Sequence, residues 1–391
     1  MRPLLFLPFA LLAPCLMAQP LLTAYRAEQA PVIDAQLNEP CWQAAVASSQ
    51  FLLATGDGLP AERTIVRLCW TPTHLYVGIE AHEALLDPVL NMLHKVRAEG
   101  TGRDASVFGD DCVELFLQPP GQPYCHFAAN SAAGTYEGRG TDKSWSCDWQ
   151  WQTNRARTAY FVEMAIPCAA LGAAPAGDWH WNATRHRPQD KEYSTWSGLR
   201  GAFHQPDQFG LLRFLDAGPG CSPVELGTTD RGENVSLKTT GEATLEVDLA
   251  SPKGTVSERK SGTGTLKVEI PIPPAALAAG GYRLVYRLRA GDTLLAESAP
   301  LVRVLAAGVA GLKLTTANAT AQVFLNGQPV ERTGDTAELR LVGGMNLIAI
   351  EATRTAANPS LLAVVSAGSQ PLPLLDYPLL LTDRSVVPLQ G

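Results

Sequence analysis

In the stretch VFGDDCVELFLQPPGQPYCHF, residues 107–127, Phe108, Asp111 and Glu114 stand at steps of three. An aromatic ring followed by two carboxylates is more than a strand needs to pack a core. A carboxylate takes charge-assisted hydrogen bonds, about 1.5–3 kcal/mol each, and a ring offers an apolar plate. Together they suit a ligand with one apolar face and a rim of hydrogen-bonding groups. Structural alternatives stay open. Phe108 can plug its loop into the core, Asp110 and Asp111 can brace a turn, and Glu114 can simply pair with a neighbour across the strands.

Such residues need a hairpin to position them. VELFL and the HF segment flank PPGQP. If the chain turns through Gln118 to Gln122, Glu114 faces His126 and Phe116 faces Tyr124. Val113, Leu115, Leu117, Cys125 and Phe127 then share an entirely apolar core face, and the mixed polar and aromatic set lies opposite. The other clear patterns are also β. VRLCW (66–70) and LYVGIEA (75–81) flank TPTH as a hairpin. YFVEMAIP (160–167) is a strand stopped by proline, with Glu163 alternating like a surface residue. WHWNATRH (179–186) and FGLLRF (209–214) are further strands. Asn38 as cap and Pro40 in the first turn predict a short helix through Trp42 and Ala45. The run LLDPVLNMLHKVRAEG leaves room for another helical turn.

Composition changes at DAGPGCSP, residues 216–223. All eight tryptophans precede residue 197, and all cysteines precede 222. Beyond 234 the strands become thin and rich in Val and Leu, with turns about every ten residues, as in a small β-sandwich. A last unit carries turn signals at Asn326-Gly327 and Gly343-Gly344. The predicted fold is all-β: a β-sandwich, immunoglobulin-like or jelly-roll-like, over 22–216, then two smaller β domains at 223–308 and 309–391. The last is similar in pattern to a partial galactose-binding-like domain, and both read as spacers or docking modules.

Hydrophobic residues make up 46% of the chain and charged residues 18%, which fits a folded protein and not a disordered one. A net charge of −7 leaves no basic excess to neutralise phosphates, so nucleic acid and anionic membrane are disfavoured partners. Residues 1–18, with Arg2, the apolar run Leu4–Leu16 and Ala18, read as a secretory signal peptide, too short for a membrane span. The expected location is therefore secreted or periplasmic, with a lipoprotein cut before Cys15 as the alternative. Seven cysteines remain beyond Cys15: disulfides are permitted, their connectivity is open, and the odd count leaves at least one thiol free or paired between chains. No CxxC, GxSxG, HExxH or P-loop is present. No cofactor is predicted; a structural calcium has room in such loops, with no ligand set to name.

Residues 31–214 resemble a family 9 carbohydrate-binding module. The resemblance rests on PVIDAQLNEPCWQAA, VRLCWTPTHLYVGIEAHE, FGDDCVELFLQ and WSGLRGAFHQPDQFGLLRF, in that order and at that spacing. It implies a sugar slot between two aromatic side chains, Phe108 and Trp196, with Asp111, Glu114 and His126 reading hydroxyls. Phenylalanine at 108 replaces the family's usual tryptophan, and histidine at 126 replaces a frequent arginine. Asn182 and Arg185 are further candidates to line the slot. A pyranose suits such a set: its C–H face stacks on rings and its hydroxyls meet carboxylates, giving micromolar to millimolar affinity, roughly −4 to −8 kcal/mol. The expected function is an exported, non-catalytic protein for mono-, oligo- or polysaccharides, with room for docking to a polysaccharide-degrading enzyme. A glycoside hydrolase is the first alternative, although Asp111 and Glu114 lie along one strand and not across a cleft, and Glu163 stands alone. A haem-binding electron-transfer sandwich is the second, limited by Met92, Met164 and Met345 as the mature methionines and by the lack of CxxCH.

Overall fold

The computed structural model describes residues 19–371, apart from 49, 56–57, 87–95, 97, 229–231, 252–253, 273–280, 305–307, 326–327, 342–347, 357–359 and 368–369. The signal-peptide reading, Cys15 and both glycine turns of the last unit lie outside these residues. So does most of the helical turn expected after Leu86. The fold is all-β.

The first half of the chain forms β1 (Leu21–Arg26), α1 (Pro40–Ala44), β2 (Leu52–Leu53), β3 (Thr64–Trp70), β4 (His74–His82) and β5 (Cys112–Gln118). Next come β6 (Cys125–Asn130), β7 (Thr135–Arg139), β8 (Gln150–Arg155), β9 (Ala159–Pro167) and α2 (Cys168–Leu171). Then follow β10 (Asp178–Arg187), β11 (Glu192–Thr195) and β12 (Gly210–Leu215). Hydrogen-bonded pairs run β8–β9–β4–β3 on one side and β12–β10–β5–β6–β7 on the other. β1 joins the two layers, pairing in parallel with β3 through Tyr25 and Arg26 and with β12 through Leu21–Tyr25. The inner faces carry the alternating apolar residues: Val77, Ile79, Val162 and Met164 from one layer, Val113, Leu115, Leu117 and Trp181 from the other, all buried.

Two local expectations are corrected. The β5–β6 hairpin pairs Phe116 with His126 and Glu114 with Ala128, not Glu114 with His126 and Phe116 with Tyr124. Pro119, Pro120 and Pro123 cannot donate to a ladder, so the connection is longer, closed by Gln122 N donating to Pro119 O at 3.1 Å. The slip is two residues in all, so each side chain keeps its expected face. The first helix is capped at Glu39, without a side-chain bond, because Asn38 turns its amide to Gln36.

Residues 19–371 form two compact units. The first also includes much of β14 (Gly232–Ser251), β15 (Gly254–Pro271), β16 (Gly281–Ala290), β17 (Thr293–Glu297) and β18 (Leu301–Val304), which follow β13 (Glu225–Thr228). Within it β14 pairs with β16, β16 with β17, and β17 with β1 through Leu21↔Glu297 and Leu22↔Ala296. The second unit holds the strands from β19 (Gly308–Ala317) onward, around a small core of Leu312, Leu314, Val323 and Leu339.

Candidate functional site

The loop that carries Phe108 is pinned before β5 begins. Its early residues add to the start of β7 through Gly102 N to Ala133 O, Thr135 N to Gly102 O and Ala105 N to Thr135 O, at 2.8–3.1 Å. Asp110 closes the loop: its Oδ2 accepts from Glu99 N and Gly100 N at 3.0 Å and from Asn130 Nδ2 at 2.8 Å. Phe108 is held outward from this frame, 43% exposed, with Tyr136 edge-on at 4.9 Å and the His126 ring at 5.6 Å.

Alternation along β5, β6 and β10 then assembles one face. Glu114 Oε2 lies 2.8 Å from His126 Nε2, diagonally across the hairpin, and both residues are buried. The His126 ring stacks on Phe116 at 4.3 Å. His204 meets Phe116 edge-on at 5.3 Å, and its Nδ1 is 2.9 Å from Tyr124 Oη. Thr184 stands directly opposite Glu114, and its buried hydroxyl has no partner among the described residues. Two residues on, His186 Nδ1 lies 3.1 Å from the Phe108 carbonyl, and its ring stacks on Tyr193 at 4.3 Å. A carbonyl only accepts, so Nδ1 carries the proton and Nε2 is an acceptor. Tyr193 is 48% exposed. Burial holds the His186 imidazole below its usual pKa despite that carbonyl, and burial followed by the charge of His126 does the same to His204.

Of the residues singled out in the sequence, the structure brings Phe108, Glu114 and His126 together. It places Asp111 on the inner face, wholly buried. Arg185 grips both its oxygens at 3.0 Å, Tyr160 Oη donates at 2.9 Å and Gln189 Nε2 at 3.2 Å. The same guanidinium donates to the His82 carbonyl and to Glu83, which Arg187 also bonds. This network ties β10 to β9 and the end of β4. Burial opposes the Asp111 charge, yet Arg185 holds its carboxyl below the ordinary range, while burial pushes Glu83 up. Trp196 is also interior, 4% exposed, against Trp181 at 4.2 Å. Its amide donates to Ala183 O at 2.8 Å, which continues the β10–β11 ladder. On that ladder Tyr193 and Thr195 take the His186 side, and Trp196 takes the other. Asn182 braces the same turn, bonding Thr195 and the Ser197 amide.

Glu163, expected on the surface, is wholly buried. It accepts from Asp34 N, Ala35 N and Trp42 Nε1 at 2.8–2.9 Å, and so anchors the turn before α1. Sequence reasoning missed Tyr193, His186, Tyr136 and His204. The signal for His186 and Tyr193 was present as alternation through β10 and β11, with His186 two steps from Thr184 and four from Asn182. Among the described residues no group of three or more His, Cys, Asp or Glu side chains is arranged to hold a metal ion. Met164 is buried in the core, while Met92 and Met345 lie outside the described residues. No helix among the described residues is long and apolar enough to cross a membrane.

No protein-family model matches the chain, and no curated protein matches its sequence. Solved structures are similar to part of it. One is a protein from Bacteroides uniformis named for inferred carbohydrate binding, with 19% identity and a TM-score of 0.42 over 51% of this chain and 100% of that one. Another is a family 9 carbohydrate-binding module from Caldicellulosiruptor kristjanssonii in complex with cellotriose, with 16% identity and a TM-score of 0.37 over 51% of this chain and 95% of that one. A family 9 module from the same organism with glucose covers 51% of this chain and 97% of its own, at 15% identity and a TM-score of 0.36.

Proposed function

We propose that the first unit binds a sugar ring on the outer face of β5, β6, β10 and β11, without transforming it. One observation carries the reading. Among the described residues Phe108 and Tyr193 are the exposed aromatic rings beyond histidine, and both stand on this one face, joined through His186. Beneath them lie the buried Glu114–His126 pair and the buried Thr184 hydroxyl, which has no partner among the described residues. Rings for C–H faces beside a carboxylate and a hydroxyl are the complement of a pyranose. Asp111 and Trp196 serve this site by holding β10 and β11 in place. The non-catalytic part of the reading is supported by Asp111 and Glu163, whose oxygens are engaged in structural bonds. Export through residues 1–18, and service to a polysaccharide-degrading enzyme, complete the proposal.

The test is a glycan array on the purified chain, followed by calorimetry with a ligand it selects. Phe108→Ala and Tyr193→Ala should each weaken binding about tenfold or more with an unchanged melting temperature, since neither side chain is part of the core. Glu114→Gln should cost about 1.5–3 kcal/mol of binding, about ten- to hundredfold. No sugar retained by the array, or wild-type affinity in both aromatic variants, overturns the reading.

A further inference from the structure

We propose that Cys41 and Cys69 are a disulfide site that staples α1 to β3. The two residues belong to one buried cluster, with Cys69 beside Ala27, Trp42, Tyr76 and Ala165 and Cys41 packed against it. Cys41 of α1 packs on the cluster that holds Cys69 of β3, so each thiol lies near enough to shift the other's ionisation, and both are free in this structure. Cys41 is the second residue of a helix that is five residues long and has no side-chain cap, so the bond would fix an element with little cohesion of its own. It would also hold Trp42, whose indole bonds Glu163, and thereby the turn at 34–35 that Glu163 anchors.

The surroundings of the seven described cysteines push their thiols in different directions. Cys41 is half-buried, and the nearby Cys69 thiol holds it below the usual thiol range against its burial. The rest are pushed up, by burial first for Cys112, Cys125, Cys147, Cys168 and Cys221 and by the nearby Cys41 thiol for Cys69. Thiolate is the nucleophile in exchange, and Cys41, half-buried where Cys69 is buried, is the sulfur of the pair that an oxidant reaches first. It attacks one sulfur of an oxidant disulfide, such as glutathione disulfide, and expels the other as a thiolate. Cys69 then loses its proton and attacks the Cys41 sulfur of the mixed disulfide, releasing the second thiol. Two protein thiols give up two electrons and two protons, and the oxidant is reduced to two thiols. One such pair leaves five thiols, of which Cys112, Cys125, Cys168 and Cys221 are buried and Cys147 is half-buried.

The experiment uses the full chain, equilibrated in a glutathione redox buffer, alkylated without reduction and digested. The Cys41 and Cys69 peptides should be recovered joined, and the remaining cysteines alkylated after denaturation. Reduction should lower the wild-type melting temperature by about 5–10 °C, the effect of opening a loop of about 28 residues. Cys41→Ser/Cys69→Ala should show no such difference, and Cys221→Ser should retain it. Recovery of both peptides alkylated, or a cross-link that joins other cysteines, overturns the proposal. If the double variant does not fold, the peptide map of the wild-type chain alone decides. The sugar-binding reading is untouched by either result.

Discussion

Phe108 and Tyr193 differ from the other rings of the first unit in one respect: their bulk is not needed to fill it. Trp196 is the contrast. It lines a small interior cavity with Leu22, Val224, Leu237 and Leu288, and its ring approaches the backbone so closely that a Cβ on Gly210 would lie 2.5 Å from Cζ3. Trp196→Ala should therefore destabilise the unit by about 3–5 kcal/mol, read from urea unfolding, and any loss of binding should follow the loss of folded protein. Asp111→Asn should cost about 3 kcal/mol or more, because it leaves the buried Arg185 guanidinium undercompensated. In both variants the folded fraction should still bind sugar. The histidines set a pH dependence. Unfolded, His186 and His204 titrate near 6.5, and folded they titrate lower, so below about pH 6.5 the unfolded chain binds more protons. Their contribution to stability is full above that pH and is lost as acid takes the pH down through the folded values. The urea midpoint should fall between pH 7.5 and 5.5, and fall less in His204→Phe. An increase on acidification would contradict this assignment.

At the level of elements, alternation was legible and register was not. Phe116, Glu114 and His126 share a face because the period of a strand is two, and this survives a slip of two residues at a proline-rich turn. Asp111 was not legible as a core residue. Nothing local shows that Arg185, 74 residues away, crosses to meet it, and an acidic residue at the edge of an apolar strand looks solvated. Trp196 misled for the same reason: its neighbours Ser194, Ser197 and Gly198 are polar or small, yet Ser194 pairs with Arg185 and the Trp196 amide extends that ladder to Ala183. The Phe108 loop depends on a close backbone approach. A Cβ on Gly134 would run into the Gly100 carbonyl and lie 2.9 Å from Asn130 Nδ2, the group that also holds Asp110. Gly134→Ala should then displace the loop, at about 1–3 kcal/mol of stability and with a loss of sugar affinity larger than the unfolded fraction explains. Gly227→Ala, where the nearest side-chain atom is an ordinary 3.9 Å away, should change neither. Calorimetry beside thermal melts separates the two effects.

For the whole molecule, the composition break at 216–223 marks a change of strand character, while hydrogen bonds of the first unit run across it. Tyr25 Oη donates to Pro219 O at 3.1 Å, and Cys221 exchanges backbone bonds with Ala45 and Ala47 at 3.1 Å. Arg63 meets Glu225 at 2.7 Å, and Arg213 reaches the Leu294 carbonyl. β1, the strand that joins the two layers of the sandwich, also pairs with β17, at a separation of some 275 residues. Sequence patterns report neighbours a few positions apart, so pairing at that distance leaves no mark on composition. A fragment of residues 19–216 would lose every one of these bonds and expose Leu22 and Trp196, whereas a fragment of residues 19–303 would keep them. The shorter fragment should unfold at a clearly lower urea concentration and the longer one near that of the full chain, provided the first unit is one cooperative body. Equal midpoints for the two fragments would instead make 22–216 an independent domain, with the strands after it no more than an attachment.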